Sequence, residues 1–349
     1  MKKKIFYLLF FILLSIYFYK IITAKLYMKE HFDEKFIKVM VTPTTNVLNH
    51  QYLLTFHENS FQFNYGKIIN SIFPIINKPG DGSIKNIEAL IHHKTDYVLA
   101  QENIILDAVL GKNHFEGNKH ENLALISTVC ELKICLIATI NSNINSWRDL
   151  RHKNICFGRI GSGSYETMIQ LCSSIGIQKS MLELVQGNIY DENILSMLME
   201  DKIDAIGILT TQPNHNLKNL LQQKEFRIIG TSGISDVIFG SLFQTWSQTN
   251  FFLSDYEIQS INPVIHTYST NLMFLTLKDQ NNDTVYQLTD TLFRNSLYIK
   301  NQMDNKENKL ALDYFQIGNS FPSHHVIPIH SAVLEYYSDL EMKNVKTQT

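Results

Sequence analysis

The sequence predicts an α/β fold, because three observations on the chain agree. Of its 349 residues, 44% are hydrophobic and 18% are charged, which is too apolar for a disordered chain and too polar for a multi-span membrane protein. From Tyr52 onward, short apolar runs alternate with segments in which apolar residues recur at helical spacing. Clusters of Gly, Asn, Asp and Lys separate these segments, as is typical of turns between strands and helices.

Each short apolar run is a predicted strand, and most of these runs are followed by a predicted helix. The predicted strands are Tyr52–Phe56, Tyr97–Gln101, Ile134–Ile140, Asn154–Gly158, Ala205–Leu209, Arg227–Gly230 and Thr270–Thr276. The predicted helices are Gly66–Phe73, Ser83–His92, Ile104–Leu110, Ser164–Ile175, Ile189–Met199, Leu217–Gln222, Thr284–Ser296 and Ala332–Leu340. The polar run Asn301–Lys309 is predicted as a solvated loop, and the chain after Met342 as a disordered tail.

The charge balance argues against a nucleic-acid partner. The formal net charge is −2, and the first 24 residues hold four lysines and no acid. The remainder is therefore acidic, whereas a nucleic-acid surface attracts basic proteins. At this length we expect one compact unit of two lobes, or two small domains.

The N-terminal segment has the layout of an export signal. Lys2, Lys3 and Lys4 precede an apolar run from Ile5 to Tyr19, which resumes after Lys20 at Ile21 and Ile22. About 15 apolar residues suit a signal peptide, and roughly 20 are needed to cross a bilayer. A cleaved peptide and an uncleaved anchor over Ile5–Ile22 both stay open, and the basic start places the body of the protein outside the cytoplasm.

The four cysteines are predicted to be buried thiols. Cys130, Cys135, Cys156 and Cys172 lie in apolar surroundings and lack the spacing of a zinc site. Cys130 and Cys135 are close enough in sequence to suggest a disulfide, but at that offset on one strand they point to opposite faces.

The segment Asn154–Ser164 predicts a strand, a glycine-rich turn and a helix. Backbone amides of such a turn, together with the helix dipole, bind anions, and the hydroxyls of Ser162 and Ser164 add donors. A carboxylate or phosphate fits there. The lysine of a phosphate-binding loop for nucleotides is absent, so nucleotide hydrolysis is not expected. The alternative is a serine-capped helix whose glycines only allow tight packing.

Histidines do not form a predicted metal site, and no cofactor is expected. His324, His325 and His330 cluster near the C-terminus, and His92 and His93 pair elsewhere. Neighbouring histidines project in different directions and no carboxylate accompanies them, so we expect surface or capping roles. No nucleophile motif supports a catalytic triad, and we do not expect an enzyme.

Six short segments follow the pattern of one protein family, in its order. Gly82–Leu90 has a GS-x-x-N helix start, Asp96–Asn103 a strand ending in Gln, and Ser146–Ile155 and Gly158–Ser164 a lead-in and a glycine turn. Asp201–Ala205 and Val326–Tyr337 complete the set. Together they resemble the solute-binding proteins of the TAXI branch of TRAP transporters, and the resemblance covers most of the chain.

The resemblance implies a two-lobed type II periplasmic-binding-protein fold, with a hinge and a ligand cleft between the lobes. Lobe 1 would comprise residues 45–137 plus 270–342, and lobe 2 residues 138–269, with crossings near Ile134–Ile140 and Pro263–Leu277. Residues 1–24 would form the signal or anchor, and 343–349 a flexible tail. The protein would then be periplasmic, free or anchored to the inner membrane.

The resemblance also implies a ligand, a partner and a set of binding residues. The ligand would be a small organic anion or an amino acid such as glutamate, and closure on it would present the protein to a TRAP-type membrane permease. Arg159 offers a bidentate clamp for a carboxylate, or lies solvated at the strand end. The implied binding residues are Asn59, Ser60, Phe63, Gln101 and Asn103 from lobe 1, and Arg159, Gly161, Ser162, Gly163 and Ser164 from lobe 2.

The chain departs from the family pattern where the first strand ends. His57, Glu58 and Asn59 replace a turn rich in Gly and Thr, so side chains stand where bare backbone would approach the ligand. Asn103 replaces an acid, and His330 lacks the following proline and glycine. Two further hypotheses stay open: a membrane-tethered, degenerate binding module without transport, and an exported enzyme that uses His57 and Glu58 as base and acid.

Overall fold

The computed structural model describes residues 52–57, 60–189, 191–235, 245–258, 262–304 and 327–348. The predicted signal or anchor, residues 1–24, lies outside these ranges. Contacts make the chain from residue 51 onward one compact unit. Over the described ranges, no helix combines the length and the apolar character that a bilayer crossing requires.

The described chain contains ten strands and nine α-helices. The strands are β1 Tyr52–His57, β2 Ile75–Gly80, β3 Tyr97–Gln101, β4 Leu123–Thr139, β5 Asn154–Cys156, β6 Glu183–Leu184, β7 Ala205–Thr210, β8 Phe226–Ile229, β9 Ser247–Phe252 and β10 Val264–Leu277. The helices are α1 Ser60–Ile72, α2 Ser83–Ile91, α3 Glu102–Leu110, α4 Gly163–Ser174, α5 Glu192–Met199, α6 His215–Gln223, α7 Asn282–Arg294, α8 Ser296–Asp304 and α9 Ser331–Gln348.

The strands form one sheet in the order β2-β1-β3-β10-β4-β7-β5-β6, with β8 paired to β4 and β9 paired to β10. Strands β2, β1 and β3 are parallel, as are β7, β5 and β6. The two long central strands, β4 and β10, run antiparallel to each other. This is an α/β fold, as the sequence predicts.

Strands β4 and β10 each belong to two groups of strands. Residues 123–133 of β4 pair with β10, and residues 133–139 pair with β7 and β8. The end of β10 pairs with β3, and its start pairs with β9. We call β1–β3 with their helices, together with residues 123–132 of β4 and 270–277 of β10, the first half, and the described chain between residues 133 and 269 the second half. The two predicted crossings fall within β4 and β10, and the proposed lobe boundaries stay a prediction.

Buried apolar side chains form three clusters, one shared and two separate. The shared cluster includes Tyr65 and Phe274 of the first half, and Trp147 and Met168 of the second. A second cluster, around Ile87 and Met273, belongs to the first half, and a third, around Ile206 and Phe251, belongs to the second. Each half therefore has its own core, and the shared cluster holds the two together.

Each predicted strand coincides with an observed one, but β2, β6, β9 and the first part of β4 were not predicted. Strand β2 contains Asn77, Lys78 and Pro79, and it is tolerated because it lies at the edge of the sheet. Strand β9 begins Ser-Gln-Thr-Asn and also lacks an apolar run. Edge strands bury less surface, so their sequences carry a weaker hydrophobic pattern.

Two segments predicted as irregular are helical. The predicted loop Asn301–Lys309 is wrong for residues 301–304, because α8 continues through Asp304 with Ile299 and Met303 fully buried one turn apart. Helix α9 extends through Gln348, so residues 343–348 of the expected tail are helical as well. In the first segment, polar residues around Ile299 and Met303 hide a helix that packs against the rest of the protein.

All four cysteines are buried and free, as predicted. Cys130 packs in the shared cluster and Cys135 in the second-half cluster, so their side chains lie on opposite faces of β4. Burial raises the pKa of the Cys172 thiol to about 12, which keeps it protonated and unreactive at neutral pH.

Replacing Phe274 with alanine should destabilise the protein by about 3–5 kcal/mol, because a large fully buried ring leaves a cavity in the shared cluster. Its ring meets those of Tyr65 and Tyr97 edge-on, at centroid distances of 6.5 and 5.7 Å. Urea unfolding of the full chain measures the loss. Phe252, which is 39% exposed, is the control, and Phe252→Ala should change stability by less than about 1 kcal/mol. Equal losses would contradict the packing described.

Candidate functional site

A small cavity lies between the two halves, at the carboxyl ends of the parallel strands. Its volume is about 50 Å³. Ligands of open α/β sheets bind at this edge, where strand order changes direction. The lining residues come from both halves: Gln62, Ser83, Gln101 and Leu132 from the first, and Gly158, Arg159, Ser162, Gly163, Ser164, Asn188, Ile189 and Leu209 from the second.

The wall from the second half is the glycine-rich turn between β5 and α4. Gly158 and Gly161 adopt positive φ angles of 103° and 84°, which other residues rarely take. Ser162 is the N-cap of α4, and its hydroxyl accepts a hydrogen bond from the backbone N–H of Tyr165 at 3.2 Å. The turn thus directs the N-terminal end of a twelve-residue helix at the cavity. The predicted serine cap is confirmed, and the predicted binding of an anion by this turn stays a prediction.

The wall from the first half consists of the end of β3 and the start of α2. The backbone N–H of Gln101 donates to the Ser83 hydroxyl at 3.1 Å. The neighbouring Gly82, with φ 114°, approaches the other wall so closely that an added Cβ would lie 2.8 Å from the Cα of Ser162. A glycine is therefore required at position 82 for the two turns to meet.

Helices α3 and α4 touch directly beside the cavity. The side-chain amide of Asn103 donates to the hydroxyl of Thr167 at 2.9 Å, and both residues are buried. One turn further along, Gln170 donates to a carboxylate oxygen of Asp107 at 3.5 Å. Because Asn103 and Asp107 belong to the first half and Thr167 and Gln170 to the second, these contacts hold the halves together at the cavity. We call this pair of hydrogen bonds the α3–α4 contact.

The electrostatics of the cavity favour an anion. Arg159 is exposed at its mouth, and the positive end of the α4 dipole points into it. None of the described lining residues carries a carboxylate. The nearest acid in sequence, Glu102, is 4% exposed and accepts a hydrogen bond from the Asn271 amide at 2.7 Å. Burial raises the pKa of Glu102 to about 7, so its negative charge is suppressed in acid and near neutrality.

The structure brings five of the ten predicted binding residues to the cavity: Gln101, Arg159, Ser162, Gly163 and Ser164. Asn103 and Gly161 are not in the lining; Asn103 instead makes the α3–α4 contact, and Gly161 shapes the turn. Ser60 and Phe63 lie on α1, next to the lining residue Gln62. Asn59 lies outside the described residues, as does Glu58 of the hypothetical acid–base pair.

Seven lining residues were missing from the predicted set. Ser83 could have been predicted, because it begins a helix directly after the turn at Gly82. Gly158 belongs to the glycine-rich segment that the sequence analysis identified. Gln62 stands in α1, which begins six residues before the predicted helix. Nothing local in the sequence marks the remaining four: Leu132 lies inside β4, Leu209 near the end of β7, and Asn188 and Ile189 in a loop.

The histidines that the structure describes play no part in the cavity. His92 and His93 are exposed, as predicted. His330 is 1% exposed, and its Nδ1 accepts from the backbone N–H of Ala332 at 3.2 Å. Of the two predicted roles, surface or capping, His330 therefore has the capping one, and the bridge between Leu125 and Ile329 places its segment against the sheet. His324 and His325 lie outside the described residues.

Within the described ranges, no group of three or more His, Cys, Asp or Glu side chains is arranged to hold a metal ion.

Comparisons with known proteins gave one family match and similarities to solved structures. The sequence pattern of the NMT1-like family matches residues 75–339. A protein of Bordetella bronchiseptica RB50 shares the fold with a TM-score of 0.53 at 11% identity, over 83% of this chain and 98% of that one. The MOPS-bound alkanesulfonate-binding protein SsuA of Xanthomonas axonopodis pv. citri matches with a TM-score of 0.44 at 13% identity, over 86% and 95%. No curated protein gives a sequence match.

Ser162→Ala should destabilise the protein by about 0.5–2 kcal/mol, since the N-cap of α4 loses its side-chain acceptor. The exposed Ser173, on the last turn of the same helix, is the control, and Ser173→Ala should change stability by less than about 0.5 kcal/mol. Thermal unfolding of the two variants checks this. An unchanged midpoint in Ser162→Ala would mean that the hydroxyl does not cap the helix.

Glu102→Gln should remove part of the pH dependence of stability. The folded-state pKa of Glu102, about 7, lies above the ordinary carboxyl value of 4.5. The stability contributed by the protonated form is therefore complete below about pH 4.5 and is lost as the pH rises to above 7. Urea unfolding at pH 5 and pH 8 should show a smaller decline in Glu102→Gln than in the wild type. The exposed Glu116→Gln should retain the full decline; the same decline in Glu102→Gln would refute the assignment.

Proposed function

Because the chain belongs to the NMT1-like family, we propose that it is an exported solute-binding protein that captures a small organic anion between its two halves. Family membership and the shared architecture support a binding role of transporter type. The observation that carries the proposal is the cavity itself, which both halves line, which receives the N-terminal end of α4, and whose described lining residues include no carboxylate.

The ligand carboxylate would lie against the turn from Gly158 to Ser164. The backbone N–H groups of the first turn of α4 have no partner within the helix, so they offer donors to an anion. The Ser162 hydroxyl accepts from Tyr165 and keeps its own proton to donate. Arg159 at the mouth adds a charge that a carboxylate pairs with bidentately. An amino acid such as glutamate and a simpler carboxylate both present this group.

Capture would be a shift of population toward the closed form. A ligand that touches both walls gains contacts only when the halves are together, so it stabilises that form by its differential affinity. The movement would bend β4 and β10, the two strands that run from one half into the other. Closed protein would then be the form presented to a membrane permease, and the resemblance in sequence favours a permease of the TRAP type.

A second candidate function is a binding module, tethered at the membrane by Ile5–Ile22, that senses or contacts another protein without transport. The observation in its favour is the size of the cavity, since about 50 Å³ leaves little room for a solute. Membrane fractions washed with high salt separate the candidates. A full-length chain retained after washing supports the tether, and release of a shortened chain supports a free receptor.

Arg159→Gln should weaken carboxylate binding about tenfold, because it removes a charged hydrogen-bond donor from the site. Calorimetric titration of the full chain with acetate, glycine and glutamate at low salt measures the affinity. Arg148→Gln, at an exposed position on the short helix Trp147–Leu150, is the matched control and should bind as the wild type does. Saturable binding of none of the three compounds would contradict the proposed function.

The double substitution Ser162→Ala and Ser164→Ala should weaken the same binding by about 1–3 kcal/mol, because two hydroxyl donors at the start of α4 are lost. The comparison is made at a temperature where the variant is fully folded, since Ser162 also caps the helix. Unchanged affinity in the double variant would place the anion elsewhere.

A further inference from the structure

We propose that Gln101 sets the upper size of the solute, so that the wild-type cleft closes only on a small oxyanion such as acetate. This inference rests on the proposed function and narrows its substrate class. It is carried by three features of the closed cleft: where the Gln101 side chain lies, what fixes the separation of the halves, and how much space remains.

The Gln101 side chain reaches from the first half onto the first residue of α4. A Cβ added to Gly163 would lie 2.5 Å from Oε1, 2.6 Å from Cδ and 2.8 Å from Nε2 of Gln101. The whole carboxamide therefore rests on the bare backbone of Gly163. Gln101 is 7% exposed, and its Oε1 is buried with no hydrogen-bond partner among the described residues. The amide thus occupies space directly beside the anion-binding end of α4.

The separation of the halves in the closed form is fixed by the α3–α4 contact. Asn103 and Thr167 are buried and bonded at 2.9 Å, so drawing the helices apart would strand two buried polar groups. The turn at Gly82 also lies against the turn at Ser162, where a Cβ added to Gly82 would be 2.8 Å from the Ser162 Cα. A larger solute cannot be accommodated by a slightly wider closed form, because each of these contacts would break.

The remaining space corresponds to a very small solute. A cavity of about 50 Å³ is far smaller than a typical ligand pocket of roughly 300–1,000 Å³, so only a small solute fits. Acetate has less than half as many non-hydrogen atoms as glutamate and is the easier of the two to accommodate. The donors around the cavity select an oxyanion, and the apolar side chains of Leu132, Ile189 and Leu209 leave a surface against which a short hydrocarbon can pack.

Truncation of Gln101 should therefore admit longer solutes. Gln101→Ala removes Cγ, Cδ, Oε1 and Nε2, which lengthens the largest accepted monocarboxylate by about four atoms, from acetate toward hexanoate. Gln101→Asn removes one methylene and should lengthen the largest accepted monocarboxylate by about one carbon atom. The probes are the straight-chain carboxylates from formate to hexanoate, titrated calorimetrically into the full chain in detergent. Gln223→Ala, at an exposed position of α6, is the control.

In the wild type and in Gln223→Ala, affinity should fall about tenfold or more between acetate and butyrate, because extra methylenes overpack the closed cleft. In Gln101→Ala, affinity should hold or rise with chain length, because the added methylenes become buried. The same length limit in Gln101→Ala, Gln101→Asn and the wild type would overturn the inference and leave the proposed function standing. Binding of no carboxylate to any variant would overturn both.

Discussion

The antiparallel pairing of β4 with β10 is the constraint on which the rest of the structure depends. These two strands carry the chain from one half to the other, and their pairing runs from Leu123 opposite Leu277 to Lys133 opposite Ser269, with two register shifts on the way. Everything else in each half attaches to one end of this pair. The cleft lies between the halves because the parallel strands on both sides end toward the same edge of the sheet.

The point at which the two strands separate toward different partners is reinforced by buried polar groups. The Lys133 ammonium is 11% exposed and donates to the backbone carbonyl of Asn250 at 2.7 Å and to Gln212 at 3.2 Å. Ser269, opposite Lys133, donates to Glu131 at 2.6 Å. A buried ammonium needs such partners to offset its desolvation. These bonds secure β9 and the end of β7 to the central pair, so any movement of the second half carries those strands with it.

Local chemistry in the sequence predicted the parts of the site that lie on one stretch of chain. The turn from Gly158 to Ser164 was recognised because positive φ angles demand glycine and a helix start favours serine. The α/β class could also be predicted locally, because apolar residues recur with one period in strands and another in helices. Two segments predicted as irregular are helical, near Asn301 and after Met342, and near Asn301 the polar composition conceals the buried Ile299 and Met303.

Contacts between distant segments could not be predicted in this way. The hydrogen bond from Asn103 to Thr167 joins residues 64 positions apart. The contact of the Gln101 side chain with Gly163 likewise depends on α4 lying against the first half. Asn103 was expected to bind ligand because it stands at a binding position of the similar family. Only the arrangement of α3 against α4 shows that its amide is already engaged by protein. Local sequence patterns therefore predict the turns that line the cleft. The size of the cleft depends on how the two halves pack together, which local patterns do not show.

The central claim is that the two halves close on a solute. Pulsed electron–electron double resonance, which measures the distance between spin labels on the two halves, tests it most directly. Cysteines introduced at the exposed Glu116 and Lys202 would take the labels, while the four buried native thiols stay unlabelled. Closure on a solute predicts that saturating acetate narrows the distance distribution to its shortest component. The same distribution with and without acetate, over a range of concentrations that saturates binding, would contradict capture by closure of the two halves.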